Sequence, residues 1–253
     1  MGAEKIWTDT CRVVLGEELG PLGDYEKLLK RYVRQSAAGK SALSGKDLAY
    51  CDNCPGDAKF ILADEAADYA KMLKGKKLDI NSIKDIDSLV RALEENFYYA
   101  GNIVLGNSSE VTNSTDIISS SNVHFSEDVI GSKNVAHCSS VRFGENIVGT
   151  YHSGSSKFVL KSFRGFKCSR LFETVSLNFC SDCYYTVNLE NCSNCLFSFN
   201  LRSKLRCIGN LELPQDKFAS LKDKLVKEIA GTMRAKKTVP SITEIVHRGV
   251  WNE

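Results

Sequence analysis

The sequence predicts an α+β chain: a helical N-terminal region, a short-coil β-solenoid of hexad repeats, and a C-terminal capping helix followed by a tail. Three observations carry this expectation. Apolar residues at helical spacing are confined to residues 1–98 and to the stretch after Pro214. Composition changes abruptly after Gly101, where Ser, Asn, Val and Cys take over from helix formers. From Ser109 the chain divides into sixes, SEVTNS, TDIISS, SNVHFS, EDVIGS, KNVAHC, SSVRFG and ENIVGT, each with an aliphatic residue third. The expected boundaries are 1–98, 99–213 and 214–253.

In the first region, "DYEKLLKRYV" (24–33), "DEAADYAKMLK" (64–74) and "SIKDIDSLVRALEENF" (82–97) place apolar residues three and four apart. Asp24, Asp64 and Ser82 stand where N-caps belong, and "KGKK" after Leu73 is a helix stop with its cations at the favoured end. "AAGKSALSGK" contains Gly39, Lys40 and Ser41, the residues that end a phosphate-binding loop. The first glycine of that motif would fall at Arg34 and no strand precedes it, so the stretch reads as a loop between helices.

The third hexad position holds Val111, Ile117, Val123, Val129, Val135, Val141 and Ile147, and continues through Val159, Leu171, Leu177, Cys183, Leu189, Cys195, Leu201, Cys207 and Leu213. Only Ser153 and Gly165 break the series, in and beside the interruption "YHSGSSK". The sixth position is small: Ser114, Ser120, Ser126, Ser132, Cys138, Gly144, Thr150, and onward to Ser198. A flat strand returns to one face every second residue, so inward residues three apart need a bend between them. One hexad buries a single Val or Leu, about 1.5–3 kcal/mol, against about 1–2 kcal/mol for each ordered backbone, so coils must stack to be stable.

Two patterns bear on coil length. Cysteine alternates with leucine at the third position (Cys183, Leu189, Cys195, Leu201, Cys207, Leu213) and with Thr or Ser at the sixth, so like meets like every twelve residues. Phe125, Phe143, Phe179 and Phe197 instead fit an eighteen-residue grid, which would suit a three-sided left-handed helix. Twelve accounts for more positions and is the expectation. Asp116, Asn122, Asp128, Asn134, Asn146, Asn188, Asn194 and Asn200 each precede a large inward residue, where bent backbone suits them, and form an expected corner ladder.

After Pro214, "DKFASLKDKLVKEI" puts Phe218, Leu221, Leu225 and Ile229 on one helical face, as a cap over the last coil. The tail "RAKKTVPSITEIVHRGVWNE" reads as an arm that docks on this chain or on a partner.

The repeat also explains the two C-x-x-C pairs of "CSDCYYTVNLENCSNC". Cys180, Cys183, Cys192 and Cys195 all fall on inward positions and read as core residues rather than a zinc knuckle. Zinc candidates are Cys51 and Cys54 of "CDNC" with Cys11; no histidine precedes His124, so a fourth ligand is missing and no cofactor is expected. No pair of side chains stands at a catalytic spacing, and no small-molecule site is legible. A hexapeptide-repeat acyltransferase would need eighteen-residue coils and a different small-residue position; His152 would be its candidate base. Net charge is +2, which names no partner, and with no apolar run of membrane length and no secretion signal in "MGAEKIWTDT" the ten cysteines are expected to be reduced in a cytoplasm.

The most function-like surface stretch is "KSFRGFKCSR". Lys161, Arg164, Lys167 and Arg170 recur every third residue with Phe163 and Phe166 between them, and read as one outward basic stripe joined by Arg202, Lys204 and Arg206. Such a stripe would contact phosphates, hence RNA or a ribonucleoprotein, in a salt-sensitive manner.

From Cys180 to Asn210 the sequence resembles a loosely defined group of archaeal and candidate-phylum bacterial proteins with Asn/Cys-rich short repeats. The closing match is Asn200, Leu201, Arg202, Lys204, Cys207, Ile208 and Asn210. The resemblance implies a solenoid and a prokaryotic origin and transfers no activity. The functional expectation is a non-enzymatic scaffold that self-associates or docks on a macromolecular complex.

Overall fold

Val123, Val135 and Ile147 stack in register, each twelve residues from the next, and every parallel pair from Ser109 to Ile208 keeps that offset. The computed structural model describes residues 2–51, 54, 57–77 and 79–248. About nine coils span residues 104–208. The first step alone differs: Val104 pairs with Ile117, thirteen residues on.

The coil closes in twelve because the backbone bends at every third residue. Second and fifth hexad positions have positive φ, as at Asn134 (57°), His137 (51°), Ser140 (60°) and Phe143 (54°). This conformation costs most residues about 1–2 kcal/mol each and is best tolerated by Gly, Asn and Asp. All eight Asn and Asp residues expected at corners have it. Their amides also bond between coils: Asn122 Nδ2 donates to Asn134 Oδ1 at 2.7 Å and Asn134 Nδ2 to Asn146 Oδ1 at 3.0 Å. The eighteen-residue phenylalanine grid is not a coil length. In a twelve-residue coil, residues eighteen apart lie on opposite sides, so Phe125 and Phe197 occupy one corner file and Phe143 and Phe179 the opposite one.

The sixth position explains why small means Ser, Thr or Cys. Ser126 Oγ donates to the carbonyl of His124 at 2.8 Å and accepts the N–H of Cys138, one coil on, at 3.1 Å. Cys138 repeats the motif through sulfur, with Sγ 3.2 Å from Ala136 O and Thr150 N–H 3.5 Å from Sγ. The side chain is thus a hydrogen-bonding strut between coils inside an apolar core.

Each coil has two hexads and therefore two faces. On one face the fourth-position residues Ala136, Val148, Leu160, Phe172, Tyr184 and Leu196 point outward, yet all are buried. They are covered by α1 (Ala3–Leu15), whose Ile6, Trp7, Cys11, Val14 and Leu15 lie in the same cluster, and which ends at Gly16 with φ 80°. The sequence reading passed over α1, although Ile6, Thr10 and Val14 carry the helical spacing. A short turn, α2 (Glu26–Leu29), follows. It is far shorter than the helix expected over 24–33, because Leu29 drops into the notch that Gly149 leaves: a Cβ there would stand 2.7 Å from Leu29 Cδ2. Asp24 caps nothing and pairs with Lys237 at 3.2 Å.

Residues 37–40, expected in a loop, form strand β1 (Ala37–Lys40), antiparallel to β2 (Asp47–Tyr50). Gly39 lets the Tyr50 ring lie against the strand, and Tyr50 stacks on Phe60 with centroids 4.0 Å apart. Strand β3 (Phe60–Leu62) runs parallel to β4 (Tyr99–Gly101), which leads into the first coil, so this small mixed unit abuts the N-terminal end of the stack. Between them lie α3 (Ala66–Lys74), close to its expected place, and α4 (Ile86–Leu93), capped by Asp85 rather than Ser82. Asp64 lies inside a 3-10 turn rather than at a cap.

At the other end, Leu211–Glu212 turns back antiparallel on the last coil, and Asn210 Oδ1 and Nδ2 bond the backbone of Phe199 at 2.6 and 3.0 Å. The long helix expected after Pro214 is present as α5 (Gln215–Lys236). It touches the last coil and then crosses to α1, with Phe218, Ile229, Ala230 and Met233 buried in the cluster that seals the covered face. The tail docks on its own solenoid: Val239, Ser241 and Ile242 are buried, and α6 (Ile242–Arg248) follows. Residues 249–253 of the expected arm lie outside the described residues.

Candidate interaction face

The four cations of "KSFRGFKCSR" do not form a stripe. Because the chain bends at every third residue, Lys161, Arg164, Lys167 and Arg170 occupy four different corners of the coil, and only residues twelve apart share a side. Lys161 is fully buried against Glu173. Burial holds its ammonium below the usual lysine range, with Glu173 opposing the shift. Arg170 grips Asp182 with two bonds, at 2.8 and 2.6 Å, on the covered side. Burial would raise the Asp182 carboxyl, but Arg170 and Lys222 hold it below the usual carboxylate range. Arg202 pairs with Glu190 at 3.2 Å, Lys204 with Glu212 at 3.7 Å, and Arg206 Nε reaches Leu213 O at 3.4 Å. Of the seven expected contacts, Arg164, Lys167 and Arg202 face the open side, and of these three Arg164 and Lys167 lack a carboxylate partner among the described residues.

The thiol candidates also separate. Cys11 is buried in α1 against the covered face, where burial pushes its thiol far up. Cys51 Sγ donates to Asp116 Oδ2 at 2.7 Å beside the first coils; burial and then Asp116 raise its thiol too. Cys54 is half-buried, and among the described residues no group of three His, Cys, Asp or Glu side chains is placed to hold a metal. The C-x-x-C thiols lie in the core files, where Cys183 stacks on Cys195 and Cys195 on Cys207.

What the fold does assemble is a face open along its middle, made by the hexads that start at Thr115, Glu127, Ser139, Tyr151, Phe163 and Val175 and bordered by Cys51 on Asp116 and by Arg34 on Tyr151. Three rings stand out from it: Phe143 is 65% exposed, Phe179 50% and Phe166 44%. Phe143 lies over Gly131 and Phe166 over Gly154, each ring filling the place of a missing side chain one coil earlier. Phe166 meets Phe179 edge to face at 5.7 Å, and Lys167 Nζ lies 5.5 Å from both ring centres. Arg164 stacks beside Phe163 at 5.5 Å. An apolar surface with carboxylate-free cations at its edge suits a partner with negative charge around an apolar contact.

His152, the residue an acyltransferase reading would need, is exposed on this face beside a shallow recess. The eighteen-residue, three-sided geometry of that reading is replaced by coils of twelve. Sequence reasoning missed the sealing file on the covered face, whose signal is an apolar residue every twelve positions from Ala136 to Leu196. No protein-family model and no curated protein matches the chain. Among the described residues no helix is long and apolar enough to cross a membrane.

Proposed function

We propose that this protein is a non-enzymatic scaffold that docks laterally on a macromolecular complex through its uncovered face. The observation that carries this reading is the asymmetry of the coil. One face is sealed by the chain's own α1, α5 and tail, while the other carries Phe143, Phe166 and Phe179 in solvent beside Arg164 and Lys167. Lateral docking is favoured over end-to-end self-association because the last coil is already paired by Leu211–Glu212, and paired edges do not recruit further strands. The partner is a protein surface with acidic groups around an apolar centre.

The test compares complexes purified from the native source. Arg164→Glu with Phe179→Ala should lose the partner that the wild-type chain retains, while Leu221→Ala on the exposed side of α5 should keep it. The reverse pattern would overturn the reading.

A second reading, contact with RNA, draws on the same cluster, since bases stack on exposed rings and phosphates follow adjacent cations. Its salt-sensitive term is reduced to Arg164 and Lys167. Binding of bulk RNA that is undetectable at low salt, or that does not weaken as salt rises, removes it.

A further inference from the structure

We infer that the cleft between α5, the end of α1 and the last coils binds a linear fatty carboxylate, with its head at Arg206 and its chain running toward Gly231. The cleft measures ≈ 990 Å³ and is lined by one side of α5 from Gln215 to Arg234, a span of about 28 Å at 1.5 Å per residue. Helix α1 closes its far end through Val13–Glu17, and the corner file Asp182, Asn194 and Arg206 forms the opposite wall. The floor is apolar: Val14, Tyr184 and Phe218 are buried, and the Tyr184 hydroxyl is spent on Val14 O at 2.8 Å.

Two observations point to room left for a ligand. Gly231 lies within α5, where glycine destabilises a helix, and a Cβ there would meet nothing within 4 Å. No contact among the described residues requires a glycine at this place, and its lack of a side chain keeps the cleft open opposite the end of α1. Val13 and Leu205 line the cleft, one on α1 and the other beside Arg206, and remain 41% and 39% exposed. An apolar chain laid between them would cover both.

The ionised groups along the walls fix the position of the head. Glu17 is paired with Arg234, Asp223 with Lys227 at 2.8 Å, and Asp182 with both Arg170 and Lys222. Arg206 has no carboxylate partner among the described residues: its Nε donates to Leu213 O at 3.4 Å, which leaves its two terminal nitrogens for a ligand. That fork matches the two oxygens of a carboxylate in a bidentate pair. Asn194 Oδ1 already accepts from Lys222 Nζ at 3.1 Å, so its Nδ2 is left to donate beside Arg206. The opposite end is wrong for an anion, because the last carbonyls of α1 are the negative end of that helix dipole. The hydrocarbon chain therefore lies toward α1, over Tyr184 and Val226. The cleft falls in the size range of small-molecule sites, about 300–1,000 Å³, and a carboxylate without a chain would leave most of it empty.

The inference is independent of the scaffold reading, since the cleft lies on the helical side and none of the rings or cations of the open face lines it. Calorimetric titration of the full chain at neutral pH with dodecanoate, acetate and dodecyltrimethylammonium, the two amphiphiles kept monomeric, tests it. Dodecanoate should bind, acetate should give no heat, and dodecyltrimethylammonium should bind at least about tenfold more weakly, because its head cannot accept from Arg206. Arg206→Gln should weaken dodecanoate binding about 10- to 100-fold, the usual worth of a hydrogen bond to a charged group. Gly231→Leu should abolish binding while raising the thermal midpoint by about 2–4 °C, so that the loss cannot come from misfolding. Phe179→Ala, on the open face, should leave binding unchanged. Absence of binding at about 1 mM dodecanoate overturns the inference. So does equal binding of the two amphiphiles, binding lost in Phe179→Ala, or binding unchanged in both Arg206→Gln and Gly231→Leu.

Discussion

Lys161 and Glu173, one coil apart, form an ion pair to which solvent has no access, and both ends of the chain are tied to it. Tyr32 Oη donates to Glu173 Oε1 at 2.5 Å, and the N–H of Ile242 donates to the same oxygen at 2.8 Å. Lys161 Nζ sits 4.5 Å above the Tyr32 ring. The carboxylate therefore joins the solenoid, the segment after α2 and the start of α6. Glu173→Gln would leave a buried ammonium with no counter-charge, and should cost about 3–5 kcal/mol in urea unfolding. Lys161→Met with Glu173→Leu should recover most of that loss. Hydrogen exchange should show residues 239–245 losing protection in Glu173→Gln before the coils do.

Acid should destabilise the fold through His137. Its ring is buried at a corner, stacked on Phe125 at 4.9 Å, and neither ring nitrogen has a hydrogen-bond partner. Burial lowers its pKa from the ordinary 6.5 to about 4. The unfolded chain thus binds the proton first, so the stability associated with neutral His137 is complete above pH 6.5 and is lost as pH falls toward 4. At about 1.4 kcal/mol per unit the loss is on the order of 3 kcal/mol. Unfolding free energies from urea titrations at pH 7.5 and 4.5 should differ by most of that amount, and His137→Phe should remove most of the difference.

Of the ten cysteines, the half-buried Cys54 should react first with a thiol reagent in the native chain, Cys51 more slowly because burial and its bond to Asp116 keep its thiol protonated, and all ten after denaturation. Burial raises the Cys138 thiol to about 12, and Cys168 and Cys207 to about 11, which keeps them protonated. Sixth-position cysteines act as struts rather than as apolar filler, since Cys180 Sγ lies 3.1 Å from Asn178 O and Cys192 Sγ 3.3 Å from Glu190 O. Cys180→Ser should therefore change stability by less than about 1 kcal/mol, whereas Cys180→Val should cost about 1–3 kcal/mol through overpacking. A stabilising valine would contradict the strut role.

The seal on the covered face should fail from either side. Phe172→Ala removes a fully buried ring beneath the flanking segments and should cost about 3–5 kcal/mol. Gly149→Ala would force a Cβ into Leu29 at a residue with φ 62°, loosening α2 and α1 without touching the inward core. Hydrogen exchange should place the new exposure in residues 3–29 in both variants.

The repeat and its inward alternation were legible because they recur every six residues, and the positive-φ corners because Asn and Asp mark them. Coil length was legible from the cysteines, whose twelve-residue alternation is the observed register. Two consequences of that length were harder to see. Residues three apart turn to four sides, so Lys161, Arg164, Lys167 and Arg170 look like a stripe only in one dimension. Residues twelve apart share a side, so Ser153 and Gly165, visible as separate interruptions, are neighbours in space. Helix α1 was missed because its apolar face is defined by the solenoid it covers rather than by a repeat of its own. Glu173 attracted no notice because nothing local marks it as the partner of Lys161 and Tyr32.

Hydroxyl-radical footprinting of the protein, alone and within its native assembly, tests the central claim most directly. The account predicts that Phe143, Phe166 and Phe179 label readily in the free chain and become protected in the assembly, while Leu221 on α5 labels equally in both. Unchanged labelling of the three rings, with new protection of Leu221, would place the partner on the helical side and contradict it.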